Sequence, residues 1–359
     1  MGLAMLGRKE RIHRLARGCL VAVTAFFVVT SLFAAEVTET KTAGAILIID
    51  THAHILRDPR RGSPAAMASQ VLRAMDDQRV EMTIFLPPPF PPDHPGMYGR
   101  PDLELVARRN PGRFAFVAGG ESLNPMIHQV APDKVTPGVI RKFQQEAEAI
   151  VKAGAAGFGE FAAEHFSSGR GGHPYESTIP DHPLLLALAD IAAQYGMPID
   201  LHMEAVPEDM PLPGRLAGRG NPSRLKENIT GFERLLAHNR GARIVWAHAG
   251  WDLTGERTVA LMRSLLTKHP NLYMSVKLDP NAPRRTSPFG SDGTVRPDWL
   301  SLLREFADRF LIGSDQFFDE GTERLSLARK FVDALPPDVV IRIARENAKH
   351  VYRLNSQAK

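Results

Sequence analysis

Short apolar runs alternate with amphipathic stretches along most of the chain after residue 44. Apolar runs bounded by Gly, Pro, Asn or Asp indicate buried strands, whereas the stretches between them repeat apolar residues at the helical period. Eight strands are predicted, over 45–50, 80–86, 114–119, 155–161, 197–203, 242–248, 272–278 and 310–315. Helices are predicted over 65–78, 101–109, 137–153, 183–195, 223–239, 256–268, 297–307 and 322–333, with a closing pair of short helices within 337–354.

The order of these elements indicates the fold class. Strands that alternate with helices favour βαβ units and a parallel sheet, and eight such units favour a closed barrel. Connections into the strands are short, whereas those that leave them are long, over 87–100, 162–182, 204–222 and 279–296. Long loops of this kind lie at the C-terminal rim of a barrel, where such enzymes build their active sites. We therefore predict an α/β fold, a single-domain (β/α)8 TIM barrel over 45–355 with long rim loops.

The first 35 residues have a different composition. They contain five basic residues against one acid, Glu10, so the net charge of +4 lies in this segment and the rest of the chain is neutral overall. A nucleic-acid partner, which a basic chain would suggest, is therefore not expected. A basic stretch up to Arg17 is followed by an apolar run that ends in small residues, which is typical of a secretory signal.

We therefore predict a signal peptide over 1–35, a linker over 36–44, and export to the periplasm or the medium. The alternative is an uncleaved membrane anchor, because Leu32 and Phe33 occupy the place where cleavage sites carry a small residue. Only in that alternative is a membrane a partner. The single cysteine, Cys19, lies in this segment, so the exported domain needs no disulfide.

The first predicted strand leads into Asp50-Thr51-His52-Ala53-His54. Side chains alternate along a strand, so Asp50, His52 and His54 are expected on one face. Two imidazoles from one strand can chelate a divalent ion. A buried strand that merely ends in polar residues would show the same sequence pattern.

Four later strands also carry an ionisable residue at or near their ends. These residues are Glu160, His202, His248 and Asp315. A parallel barrel gathers all of these strand ends into one ring, where so many unpaired ionisable groups would be costly to bury. A bound dication turns that cost into attraction, so the pattern predicts a metal site.

In these residues the chain resembles the metal-dependent amidohydrolase superfamily, in particular its amidohydrolase-related (amidohydrolase 2) branch. The resemblance covers roughly 45–355 and rests on the order and spacing of several short motifs. They are Asp50-Thr51-His52-Ala53-His54, Leu201-His202-Met203, Ala247-His248-Ala249-Gly250, Gly313-Ser314-Asp315, and the closing segment that begins Glu346-Asn347-Ala348.

The resemblance implies a role for each ring residue. His52, His54 and Asp315 would hold the first metal, and Asp315 would also act as general base. His202 would bind the same metal or a second one, and His248 would be a second-metal ligand or a free imidazole that polarises the substrate. Glu160 would bridge two metals. The cofactor implied is one or two divalent ions, zinc first, with manganese or iron as alternatives.

Three other residues are weaker candidates for binding a small-molecule substrate. Arg57 follows the first strand and Lys277 ends the seventh, so either cation would suit a substrate carboxylate. Trp251 follows His248 closely and would contact the substrate from the rim. The plain alternatives are solvated cations and a packing tryptophan.

Three functions fit this sequence. The first is a hydrolase in which a metal-activated water attacks an amide, lactone or ester. The second is a metal-dependent decarboxylase of an aromatic or unsaturated acid, which the resemblance also allows. The third is a non-catalytic metal-binding barrel, which the complete ligand set disfavours.

Overall fold

The computed structural model of the protein describes residues 46–55, 64–90, 98–167, 174–318 and 321–354. The segments predicted as signal peptide and linker lie outside these ranges, as does Arg57. Within the ranges, the helices are all too short or too polar to cross a lipid bilayer.

Thirteen strands occur in the described residues, and most belong to one large sheet. In chain order they are β1 (Ile48–His54), β2 (Val80–Phe85), β3 (Phe114–Phe116), β4 (Ala118–Gly119), β5 (Phe158–His165), β6 (Glu176–Ser177), β7 (Pro198–Met203), β8 (Met210–Pro211), β9 (Arg224–Leu225), β10 (Arg243–Ala249), β11 (Leu272–Val276), β12 (Phe310–Ile312) and β13 (Gln316–Phe317).

The large sheet returns on itself as a barrel. Its hydrogen-bonded order is β3-β2-β1-β12-β11-β10-β7-β5-β4, with parallel pairing throughout. The two ends of this order, β3 and β4, are separated only by Val117. The Val117 amide donates to the Phe85 carbonyl on one side (2.8 Å), and the Ala118 amide donates to the Gly157 carbonyl on the other (3.3 Å). The predicted eight-position TIM barrel is thus confirmed.

Ten α-helices accompany these strands in the described residues. They are α1 (Pro64–Asp77), α2 (Arg100–Arg109), α3 (Leu123–Gln129), α4 (Pro137–Lys152), α5 (Pro183–Tyr195), α6 (Ile229–His238), α7 (Val259–Lys268), α8 (Pro297–Glu305), α9 (Glu323–Ala334) and α10 (Asn347–Tyr352). Local chemistry sets several ends. The Thr136 and Thr258 side chains cap α4 and α7 by accepting a backbone N–H, and Gly196 ends α5 in the left-handed region.

Alternation along the strands divides the apolar residues into two cores. Most barrel strands give one side chain to an inner core, which contains Ile49, Ile84, Ala115, Val117, Val245, Tyr273 and Leu311. Their neighbours, such as Ile48 and Ile244, belong to the larger outer core between the strands and the helices. Val351 and Tyr352 of α10 join the inner core. The barrel interior is therefore filled by apolar side chains toward α10, and the polar residues lie toward the opposite end of the barrel.

Several elements differ from the sequence predictions, and three of the differences have a clear local cause or bear on the site. The helix expected over 223–239 starts only at Ile229, because Arg224–Leu225 pairs with Met210–Pro211 and the Asn228 side chain bonds Val206 and Glu204 instead. Helix α3 was not predicted, since Pro125 interrupts its pattern. Strand β5 begins at Phe158 and runs to His165, so Glu160 lies near its start and not at its end.

Gly313 tests how tightly the rim of the barrel is packed. A Cβ at this position would lie 2.8 Å from Ser275 Cβ and 3.0 Å from His52 Cβ, which belong to two flanking strands. We expect Gly313→Ala to lower the free energy of unfolding by about 1–3 kcal/mol in urea denaturation. The control is Gly214→Ala, whose Cβ would meet nothing within 4 Å. Equal midpoints for the two variants would contradict this packing.

Candidate metal centre

The five predicted metal ligands and His248 converge on one buried space at the rim of the barrel. Their ligand atoms form three overlapping groups, each within 4.8 Å: His52 with His248 and Asp315, His52 with His54 and Glu160, and Glu160 with His202 and His248. Exposed fractions run from 0% for His52 to 5% for Asp315. The positions of these residues agree with the prediction that a barrel would bring them together. Their roles as ligands and catalysts stay predictions.

Glu160 lies between the histidines. Its Oε2 is 3.4 Å from His52 Nε2 and 3.5 Å from His54 Nε2, while its Oε1 is 2.9 Å from His202 Nδ1. Burial alone would raise the pKa of Glu160, but His52 and His202 hold that pKa well below its usual value. Glu160 is therefore a carboxylate with one oxygen toward each group of imidazoles, which is the arrangement needed to bridge two cations.

Asp315 closes the ring from the opposite side. Its Oδ1 is 3.1 Å from His54 Nε2, 3.8 Å from His52 Nε2 and 3.9 Å from His248 Nε2. Its Oδ2 is held by two cations, at 2.5 Å from Lys277 Nζ and 2.9 Å from Arg324 Nη1. Although burial opposes ionisation, these two cations keep the pKa of Asp315 well below its usual value. One oxygen is thus fixed, and the other faces the imidazoles.

Strand irregularities accompany three of the ring residues. The pairing register shifts between Asp50 and Ala53, between Phe158 and Phe161, and between Trp246 and Ala249. These intervals contain His52, Glu160 and His248. A bulge breaks the alternation of a strand and re-aims a side chain, so these three residues reach the ring where regular strands would separate them.

Two ring residues also have unusual backbone angles. His248 has a φ of 69° and Asp315 a φ of 54°, in the left-handed region that non-glycine residues rarely adopt. Next to His248, the buried Arg257 guanidinium donates to the carbonyls of Trp246, at 2.7 Å, and Ala247, and lies 3.7 Å from the Trp246 ring centroid. The surrounding contacts therefore stabilise a backbone that would be costly in isolation.

Partners outside the ring orient two imidazoles. His54 Nδ1 lies 3.0 Å from the Leu86 carbonyl, which can only accept, so His54 Nδ1 carries the proton and Nε2 faces the ring. His52 Nδ1 likewise faces an acceptor outside the ring, Asp200 Oδ1, at 3.2 Å. Carboxylates and carbonyls in these positions typically set the tautomer of metal-binding histidines.

Asp50 does not join the ring, although strand alternation predicts it on the same face as His52 and His54. Its Oδ1 accepts from the Ser314 amide (2.8 Å) and its Oδ2 from the Ser314 hydroxyl (2.5 Å). Asp50 therefore anchors the segment that carries Asp315 and has no direct part in the centre.

The predicted substrate residues have different environments. Lys277 is buried and paired with Asp315, and its Nζ lies 3.4 Å from the Trp251 ring centroid. Trp251 is half-buried, and its ring is perpendicular to His248 with centroids 5.8 Å apart. Arg57 is outside the described residues. Lys277 is thus placed to fix Asp315, which the sequence did not suggest.

Sequence reasoning missed three residues that shape the centre. Asp200 precedes His202 by two positions on one strand, so alternation gave a usable signal for it. Arg257 lies between β10 and α7, and Arg324 lies in the first turn of α9, where periodicity does not indicate that a cation turns toward the ring.

The ring fits a divalent cation by its chemistry. Imidazole nitrogens and carboxylate oxygens are the donors that zinc, manganese and iron accept in proteins. His248 Nδ1 is buried and has no hydrogen-bond partner among the described residues. Burial and Lys277 hold the pKa of His248 well below its usual value, so this imidazole is neutral, as a ligand must be.

Buried histidines and carboxylates that could hold a divalent ion thus lie at the rim of a TIM barrel. The amidohydrolase family model matches residues 49–354, and the chain belongs to the amidohydrolase family. No curated protein matches the sequence.

Solved structures bear on the fold. An uncharacterised TIM-barrel protein from Bordetella bronchiseptica is 16% identical with a TM-score of 0.54, covering 87% of this chain and 100% of its own. A 4-oxalomesaconate hydratase from Rhodopseudomonas palustris is 14% identical with a TM-score of 0.45, covering 87% and 97%. A dihydroorotase from Saccharomyces cerevisiae is 11% identical with a TM-score of 0.45, covering 86% and 84%. The first of these supports the barrel.

Replacing Asp200 tests the outer support of His52. We expect Asp200→Asn to weaken the affinity for zinc by about 10- to 100-fold, because the charge that orients the imidazole is lost. Competition against a chromophoric chelator measures this affinity. The control is Asp190→Asn. Among the described residues, the Asp190 carboxylate bonds His238 at the end of α6 and the adjacent Asn239, both at the surface. An affinity equal to that of the unchanged protein would rule out this role for Asp200.

Proposed function

We propose that the protein is a metal-dependent hydrolase that acts on an amide, lactone or ester of a small molecule. The observation that supports this most is the position of Glu160, whose two oxygens face separate groups of imidazoles. His52, His54, Glu160 and Asp315 would hold one divalent cation, and Glu160, His202 and His248 a second, with zinc the first choice. Such a cation supplies Lewis-acid polarisation of a carbonyl and lowers the pKa of water.

The side chains provide the proton transfer and the positioning. Asp315 would take a proton from the attacking water through Oδ1 and pass it to the leaving group, while Lys277 and Arg324 hold Oδ2 in place. His248, neutral through burial and the nearby Lys277, would complete the second set of ligands or donate a hydrogen bond to the substrate carbonyl. The low exposure of the ring would keep bulk water away from these steps.

A decarboxylase is the second candidate, because two cations lie at the same edge of the ring. Lys277 and Arg324 would suit the carboxylate that such an enzyme removes. Lys277, however, is buried against Asp315 and offers a substrate little charge. We therefore favour hydrolysis, and we propose further that the barrel is exported after removal of the first 35 residues and binds no nucleic acid.

A substrate panel with metal control tests the proposed function. We expect zinc-loaded protein to hydrolyse at least one member of a panel of lactones, esters and N-acyl compounds. Chelation should abolish the activity, and added zinc should restore it. Aromatic and unsaturated acids, assayed in parallel for CO2 release, should give none. Release of CO2 without hydrolysis would instead assign the decarboxylase.

The role of Asp315 is tested on the substrate that the panel identifies. We expect Asp315→Asn to lower kcat by about 10²- to 10⁴-fold, because the base is lost. Metal content is measured on the same sample, so that loss of metal and loss of the base are distinguished. Asp338→Asn, which removes an exposed partner of Arg304, serves as the control. Full activity of Asp315→Asn with bound metal would remove Asp315 from this role.

A further inference from the structure

Two cationic side chains contact the same oxygen of the Asp315 carboxylate. Lys277 Nζ and Arg324 Nη1 both contact Oδ2, at 2.5 and 2.9 Å. Asp279 contributes only a weak attraction to Lys277, and Glu160 is engaged with the histidines. A clamp on Asp315 needs one cation, and the buried Lys277 already provides it. Arg324, the second cation on this oxygen, therefore shares its carboxylate with Lys277 and retains charge for a ligand.

Arg324 differs from Lys277 in its access to solvent. The Lys277 side chain is 3% exposed and covered by Trp251, whereas the Arg324 side chain is 28% exposed. A guanidinium has five N–H donors in a planar fork. Among the described residues, Arg324 uses only Nη1, which bonds the side chain and the main-chain carbonyl of Asp315. The rest of its fork is available to a ligand.

The place of Arg324 limits the size of that ligand. Its guanidinium carbon lies 5.4 Å from the centroid of the Phe317 ring, which stacks on His54 at 4.4 Å. The Asp315 carboxylate also connects Arg324 to His54, with Oδ2 on Arg324 and Oδ1 on His54. An anion on Arg324 would therefore lie only a few bonds from a carbonyl placed in the ring.

We propose that Arg324 binds a carboxylate of the substrate, so that the protein acts on a small anionic compound with a carboxylate one to three carbons from the reacting carbonyl. This inference rests on the proposed hydrolase function and names its substrate class. The planar fork of arginine suits a carboxylate, which would accept from the N–H donors that Asp315 leaves unused.

Hydroxamates that differ only in a distal carboxylate test this assignment. The probes are acetohydroxamate and the monohydroxamates of malonate, succinate and glutarate, with dissociation constants from calorimetry on zinc-loaded protein. We expect one diacid derivative to bind about 10- to 100-fold more tightly than acetohydroxamate, as for a charge-assisted hydrogen bond. The gain is taken for each variant as the ratio of its own affinities for the diacid derivative and for acetohydroxamate. Arg324→Met should lose this gain, Arg324→Lys should keep part of it, and the surface control Arg304→Met should keep all of it.

The outcomes separate this inference from the proposed function. If acetohydroxamate binds but no diacid derivative gains affinity, or if Arg324→Met and Arg324→Lys both keep the gain, the carboxylate site is overturned while the metal centre stands. If the unchanged protein binds neither zinc nor acetohydroxamate, the proposed function fails and this inference fails with it.

Discussion

The burial of four imidazoles and two carboxylates in one small space is the constraint on which the structure of the rim depends. Ionisable groups lose hydration there, and their exposed fractions do not exceed 5%. The carboxylates Glu160 and Asp315 attract the imidazoles, and Lys277 and Arg324 attract Asp315 in turn. A divalent cation would add the charge that such a ring is arranged to hold, which is the physical reason to regard it as a metal centre.

The backbone around the ring departs from regular geometry where the chemistry requires it. A regular strand would send alternate side chains to opposite faces, yet His52, Glu160 and His248 lie in register shifts that aim them inward. Arg257 bonds the carbonyls that precede His248, and Asp50 bonds the amide that precedes Asp315. Buried polar contacts outside the ring thus keep the irregular segments in place, and the apolar inner core supports them from below.

The sequence predicted the barrel and all six ring residues because both depend on strong, local patterns. Apolar strands at regular intervals indicate the fold, and an ionisable residue near a strand end is conspicuous. The failures have a physical origin as well. Asp50 was expected on the same face as His52 and His54 because alternation ignores bulges, and the helix expected from residue 223 ignored a short hairpin. Arg257 acts from the segment before α7 and Arg324 from the first turn of α9, and tertiary contacts decide that their side chains turn toward the ring.

Anomalous diffraction at the zinc edge, from crystals of protein loaded with zinc, tests the central claim most directly. We predict a peak among His52, His54, Glu160 and Asp315, and a second peak among Glu160, His202 and His248, with Glu160 in contact with both. A single peak in the ring would leave Glu160 without its bridging role. The absence of any peak between these residues would contradict the metal centre itself.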